Sequence, residues 1–217
     1  MRLILCCALL LPLSGFAQDI APKQKPGRPP YILKTIPSNL INPIQQSIDI
    51  QADIPIASRW GLELGVGAVV NSWSLAVFKD ESYKGLKLKP AIKYYTKRSA
   101  MGDSYLSLAF KYKNIRNDRY VNVIRQGGQY AEWLPERRRL VSWGVALRAG
   151  SQQYLGDRKR WVIEPYFGFG IRRLLLSGNL PANAEFLDER NPFNGNRRPG
   201  IYTDPDILLG FSLGWVL

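Results

Sequence analysis

Apolar and polar residues alternate with a period of two through most of the chain, the spacing of strands with one apolar and one polar face. From Ser47 to Ile56, the residues Ile48, Ile50, Ala52, Ile54 and Ile56 share one face, against Ser47, Asp49, Gln51 and Asp53. The same rhythm sets Leu62, Leu64, Val66, Ala68 and Val70 against Glu63, Gly65 and Gly67. Leu86, Leu88, Ile92 and Tyr94 alternate with Lys87, Lys89 and Lys93, and Leu106, Leu108, Phe110 and Tyr112 with Ser107, Lys111 and Lys113. Val141, Trp143, Val145 and Leu147 oppose Ser142, Gly144 and Arg148. Trp161, Ile163, Phe167, Phe169 and Ile171 oppose Glu164, Tyr166, Gly168 and Arg172. A final segment sets Ile207, Leu209, Phe211, Leu213, Trp215 and Leu217 against Gly210, Ser212 and Gly214. Each is near the length of about 9–11 residues that lets a tilted strand cross a bilayer. An eighth, less regular strand is expected over Tyr31–Leu40, which makes the count even. Pro90 and Pro165 cannot donate to a ladder and predict bulges or local breaks.

The expected connections also alternate in length. Ala57–Gly61, Thr96–Asp103 and Ser151–Arg160 are short, whereas Ser72–Gly85, Asn114–Arg138 and Arg173–Asp206 are long. Short turns on one side and long loops on the other are the asymmetry of an outer-membrane barrel. The expected fold is therefore all-β, an eight-stranded antiparallel up-and-down transmembrane β-barrel over 31–217.

Alternation leaves open which face meets lipid, since a soluble calyx would turn the apolar face inward. The polar face mixes small residues with charges of both signs, as a narrow packed lumen would. Trp60, Trp161 and Trp215 fall near the short-turn ends, where an aromatic girdle belongs. The predicted lumen charge network is Asp49, Asp53, Glu63 and Glu164 against Lys87, Lys89, Lys93, Lys111, Arg148 and Arg172, with Lys113 beside them. Eight strands leave room for little but side chains, so these charges are expected to pair and plug the lumen.

Composition narrows the chemistry. Among the 217 residues there is no histidine, which removes Ser-His-Asp and Cys-His catalysis and histidine-ligated zinc. Arg2, the apolar run Leu3–Leu13 and the small residues Gly15 and Ala17 read as a cleaved signal peptide over 1–17. Both cysteines, Cys6 and Cys7, lie within it, so the exported part holds neither a disulfide nor a thiolate metal site. Residues 18–30, rich in Pro, Lys and Gln, read as a flexible periplasmic lead-in. The formal charge of +13 suits lipopolysaccharide phosphates and anionic lipid better than nucleic acid, because the chain is exported. Two basic runs are candidate contacts for such anions, Arg137-Arg138-Arg139 and Arg158-Lys159-Arg160, with plain solvation the alternative. Asp204 and Asp206 offer a weak cation site. Gly65-Val66-Gly67 and Gly168-Phe169-Gly170 lie within strands with no helix following, so they read as small lumen positions and not phosphate loops.

Several stretches resemble a family of small Gram-negative outer-membrane β-barrel proteins that carry a domain of unknown function. They are Leu33-Lys34-Thr35, Ser47-Ile48-Asp49-Ile50, Ser58-Arg59-Trp60-Gly61-Leu62-Glu63-Leu64-Gly65 and Glu164-Pro165-Tyr166-Phe167-Gly168-Phe169-Gly170. The resemblance implies an OmpX- or OmpW-like barrel and brings no catalytic residues; Leu217 departs from the aromatic residue that usually ends such chains. The expected role is a non-enzymatic integral outer-membrane protein, structural or interacting, such as an accessory subunit of an envelope or secretion assembly. Its expected partners are outer-membrane lipid, lipopolysaccharide and other envelope proteins, with no cofactor, metal or nucleic acid. The alternatives are a conduit for small solutes or lipid, and a lipid- or peptide-modifying envelope enzyme.

Overall fold

The computed structural model describes residues 30–40, 46–70, 82–99, 102–125, 129–156, 158–179, 185–186 and 199–217. The expected signal peptide and almost all of the lead-in lie outside these residues. Nearly everything described is strand: β1 (Ile32–Thr35), β2 (Ser47–Pro55), β3 (Trp60–Val69), β4 (Ser82–Leu88), β5 (Ala91–Arg98), β6 (Gly102–Arg125), β7 (Tyr130–Leu155), β8 (Trp161–Gly178), β9 (Glu185–Phe186) and β10 (Gly200–Val216). All pairings are antiparallel and belong to one ten-stranded sheet.

The sheet closes on itself. β1 pairs β2 and β10, β2 pairs β3, and β3 pairs both β4 and β5; these pair β6, and β7, β8 and β10 complete a ring of eight positions. β4 and β5 share one position because Pro90 interrupts a single run. The ladder survives the interruption: the Lys89 amide donates to the Gly65 carbonyl at 2.8 Å, and the Phe110 amide to the Pro90 carbonyl at 2.8 Å. Pro165 only leaves a gap in the β7–β8 ladder, with one register holding from Arg138↔Gly178 to Leu155↔Trp161. The one bulge between β5 and β6 falls at Tyr95/Lys97 instead.

Two expectations need correction. The strand expected over Tyr31–Leu40 is only four residues long, and the chain then turns through a 3-10 segment at Pro37–Asn39. Pro37 has no amide to donate, so the strand stops before it. The buried Ile36 follows the strand directly. Among the described residues, β10 from Gly200 to Ser212 therefore has no strand beside it on the β1 flank. The second correction concerns Asn114–Arg138, which is an extended hairpin and not a loop. β6 and β7 pair without a slip from Gly102↔Gln153 to Arg125↔Tyr130. At about 3.3 Å per residue, the 24 residues of β6 reach roughly 80 Å. β9 adds to its edge at Val123 and Ile124. The other long connections shorten too, since β4 begins at Ser82, β8 runs to Gly178 and β10 starts at Gly200.

Burial is inverted relative to a soluble fold. Ile48, Ile50, Leu64, Val66, Leu106, Leu108, Phe167 and Phe169 are exposed, and Leu209 reaches 85 % exposure. Asp49, Asp53, Glu63, Lys93, Arg148 and Glu164 are buried. The polar face lines the inside of the ring and the apolar face points out. At the short-turn end, Trp161 and Trp215 meet edge-on at 4.7 Å and Trp60 packs on Tyr94 at 5.0 Å.

Candidate functional site

The lumen is the site with chemistry, and it is built in tiers. The lowest tier, near the short turns, joins three cations and three carboxylates. Lys34 Nζ lies 2.9 Å from each of Asp53, Glu63 and Glu164. Lys93 Nζ reaches the same three at 2.9, 2.9 and 2.8 Å. Arg148 binds Glu63 at 2.7 Å and donates from Nε to Ser107 at 3.1 Å. The Tyr105 hydroxyl donates to Glu164 at 2.6 Å, and Gln152 donates to Asp53 and Glu164 at 2.6 and 2.8 Å. Lys93 also stands 4.4 Å from the centre of the Tyr105 ring.

Every ring position except that of β10 contributes a member. The tier is electroneutral, and both Lys93 and Glu63 are 0 % exposed. Isolated buried charges are very costly, so mutual pairing with added hydrogen bonds is the arrangement that can persist. Glycines make the room. A Cβ at Gly214 would lie 2.7 Å from Lys34 Cγ, and one at Gly150 would overlap the Tyr105 hydroxyl. The carboxylates of Asp53, Glu63 and Glu164 lie within 4.8 Å of one another, a spacing able to hold a metal ion. The two lysine ammonium groups already occupy that position and provide its charge balance.

The next tier is cationic. Lys89 pairs with Asp49 at 2.8 Å, Lys111 with Asp206, and Arg172 with Asp204 at 3.7 Å. Lys87 donates to Ser47 at 2.7 Å, and Asn39 of the 3-10 turn donates to Asp49 at 2.7 Å. Beyond it, Ile115, Leu140 and Leu176 stand side by side in register as an apolar rung. Above these, Arg138 approaches Glu136 at 3.7 Å.

The structure thus gathers Asp53, Glu63, Lys93, Arg148 and Glu164 in one cluster and places Asp49, Lys87, Lys89, Lys111 and Arg172 in the tier above. Sequence reasoning missed Lys34, Tyr105, Gln152 and Asp206 as members. Lys34 hides in a segment where apolar residues occupy both faces, Ile32 inward and Leu33 outward. Asp204 and Asp206 each meet a cation of this chain, which argues against the cation site considered for them.

The basic runs separate. Strand alternation turns Arg138 inward, at 7 % exposure, away from the outward row of its two neighbours. Arg137 and Arg139 point outward; Arg137 lies 3.9 Å from Asp118, and Arg139 donates to Asn114 at 3.2 Å. Lys84, Arg116 and Arg139 form a row across three adjacent strands just past the apolar band. An open groove of about 470 Å³ beside it is lined by Arg116, Asp118, Arg137, Arg138 and Arg139. Arg158, Lys159 and Arg160 are exposed in the tight β7–β8 turn, where Arg160 lies 5.9 Å over the Trp215 ring. Comparison with known proteins finds no matching family model, no similar curated sequence and no similar solved structure.

Proposed function

We propose that this chain is an integral outer-membrane protein, an eight-stranded up-and-down β-barrel exported through a cleaved signal peptide, with a structural or interaction role and no catalysis of its own. The observation that carries the reading is the inversion of burial. A closed ring with leucine, isoleucine and phenylalanine outside and lysine–carboxylate clusters inside is stable only where hydrocarbon surrounds it. In water, that exterior would be an apolar patch far larger than soluble monomers carry.

Dimensions agree. From Ile207 to Leu217, β10 shows apolar residues outward at every second position. Ten residue steps at about 3.3 Å, tilted by about 40°, cover roughly 25 Å, the height of the apolar band of such barrels. Trp60, Trp161 and Trp215 then sit at one interface, with Trp143 and the Lys84–Arg116–Arg139 row near the other. That row suits lipopolysaccharide phosphates. The hairpin of β6 and β7 projects well past the band, with Tyr120, Tyr130 and Trp133 exposed on it, a surface that suits contact with another envelope protein.

The neutral lower tier blocks the axis, which favours this reading over a conduit. Two measurements test it. In planar bilayers the purified chain is expected to be electrically silent, whereas steady unitary conductance would move the assignment to a pore. Cross-linking in intact envelopes from the hairpin tip is expected to recover one stoichiometric partner. Recovery of none would leave a free-standing barrel and remove the subunit role.

A further inference from the structure

Once strand tilt is allowed for, the outward cations of the long-loop side gain a fourth member. Followed strand by strand through the ladders, Trp60 of β3 shares a rung with Leu209 of β10. The tryptophan that marks the same interface on β10 is Trp215, six positions nearer the short turns. A rung therefore drifts by six residues over five steps between neighbouring strands. Strands about 4.8 Å apart and tilted by about 40° give the same drift, about 1.2 residues per step.

Lys84, Arg116, Arg139 and Ser177 share a rung near the other interface. Three steps lead from β4 to β8, so the residue of β8 level with Lys84 lies about four positions below Ser177. That residue is Arg173, exposed on the outward face. By the same drift Arg116 and Arg139 stand roughly 3 and 6 Å above this level, a spread that flexible side chains cover. Four cations on four adjacent strands thus form one belt, roughly 15 Å wide.

The chain does not neutralise the belt. Lys84 lies directly opposite Arg116, and Arg116 opposite Arg139, and like charges so placed repel. Among the described residues none of the four meets a carboxylate; Arg139 donates to Asn114, and Asp118 faces Arg137. Directly below the belt stand Leu86, Trp143 and Ile171, all exposed. Beside it opens the groove of about 470 Å³, with Ser177 and Asn179 in its lining.

We propose that this belt holds the phosphates of one lipopolysaccharide molecule, whose acyl chains lie on Leu86, Trp143 and Ile171 and whose sugar enters the groove. The inference rests on the membrane reading and names a lipid partner for its long-loop side. Two features single out this lipid among anionic ones. Its anchor carries phosphates at both ends of a disaccharide, so it can engage both ends of a wide belt, whereas a phospholipid offers a single phosphate. Arginine also binds phosphate in a forked, two-bond geometry, and three of the four cations are arginines.

The test uses the exported chain folded into phosphatidylcholine vesicles, with retention of the β-sheet circular dichroism signal as the fold control. The urea unfolding midpoint is followed as bisphosphorylated lipid A, dephosphorylated lipid A or phosphatidylglycerol is added, the first and last at equal charge. A ligand that binds only the folded state raises the midpoint. Bisphosphorylated lipid A should raise it and saturate near one lipid per chain, the dephosphorylated form should not, and phosphatidylglycerol should act weakly and without saturation. Lys84→Met, Arg116→Met, Arg139→Met and Arg173→Met should each weaken the affinity about fivefold. Lys159→Met, in the tight turn at the opposite end, should leave it unchanged. Without lipid A, Arg116→Met should unfold at or above the wild-type midpoint, because it removes the middle one of three opposed cations. An equal response to all three lipids, or a saturable response indifferent to the four belt substitutions, overturns the proposal. A chain that inserts but fails to discriminate loses the belt and keeps the membrane reading; a chain that stays dissolved and never inserts loses both.

Discussion

Replacing Lys34 by methionine removes one charge from the neutral lower tier while keeping nearly the same volume. Its ammonium contacts three carboxylates at 2.9 Å each, all of them buried. Three charge-assisted hydrogen bonds of about 1.5–3 kcal/mol would sum to roughly 4.5–9 kcal/mol if nothing compensated. Lys93 still reaches all three carboxylates and Arg148 still holds Glu63, so part of that is retained. Breaking a buried ionic cluster by removing one partner typically costs about 3–5 kcal/mol, and we expect a loss of about 4 kcal/mol. Against a total stability on the order of 5–15 kcal/mol, that is a large fraction. With a urea dependence of about 2 kcal/mol per molar, the unfolding midpoint should fall by about 2 M. The assay is equilibrium urea unfolding in lipid vesicles, followed by tryptophan fluorescence. Adding Glu164→Gln restores neutrality, so the double variant should be about 1–3 kcal/mol more stable than the sum of the single effects. A Lys34→Met midpoint within about 0.5 M of wild type, or strict additivity of the two changes, would refute the idea that the tier is one coupled unit.

Two further outcomes separate the band from the projecting hairpin. Phe211→Arg places a charge near the middle of the outward band and should cost about 2–4 kcal/mol in vesicles. Trp133→Arg, exposed on the hairpin, should stay within about 0.5 kcal/mol; equal costs at the two sites would contradict the placement of the band. Replacing Tyr120 through Leu134 with a two-residue Asn-Gly turn should leave the unfolding free energy in vesicles within about 1 kcal/mol of wild type, because that region closes no part of the ring. A loss comparable to that of Lys34→Met would mean that the hairpin is integral to the ring.

Period-two alternation carried the antiparallel strands from Ser47 onward, because in those segments one face is uniformly apolar and the other is not. The inward charges followed from the same parity, since Asp53, Glu63, Lys93, Arg148 and Glu164 each fall between outward apolar neighbours. The hairpin was not legible as strand because both of its faces carry polar residues. Arg116 and Asp118 point outward, while Asn117 and Arg138 are turned in. The β-branched Val121, Val123 and Ile124 were the available signal. Lys34 escaped notice because closing the ring uses only four residues of β1, too few to establish a period. That Asp204 and Asp206 meet Arg172 and Lys111 depends on pairings between distant strands, which local spacing does not encode.

The central claim is that the apolar exterior touches hydrocarbon while the charged interior does not. Spin labels placed one at a time at residues 207 to 211, in the exported chain that has no cysteine of its own, reconstituted in vesicles, test it most directly. Collision with dissolved oxygen should alternate with period two, high at Ile207, Leu209 and Phe211 and low at Leu208 and Gly210, with a water-soluble nickel chelate excluded from the first three. Free access of the nickel chelate to a label at Leu209 would contradict the account.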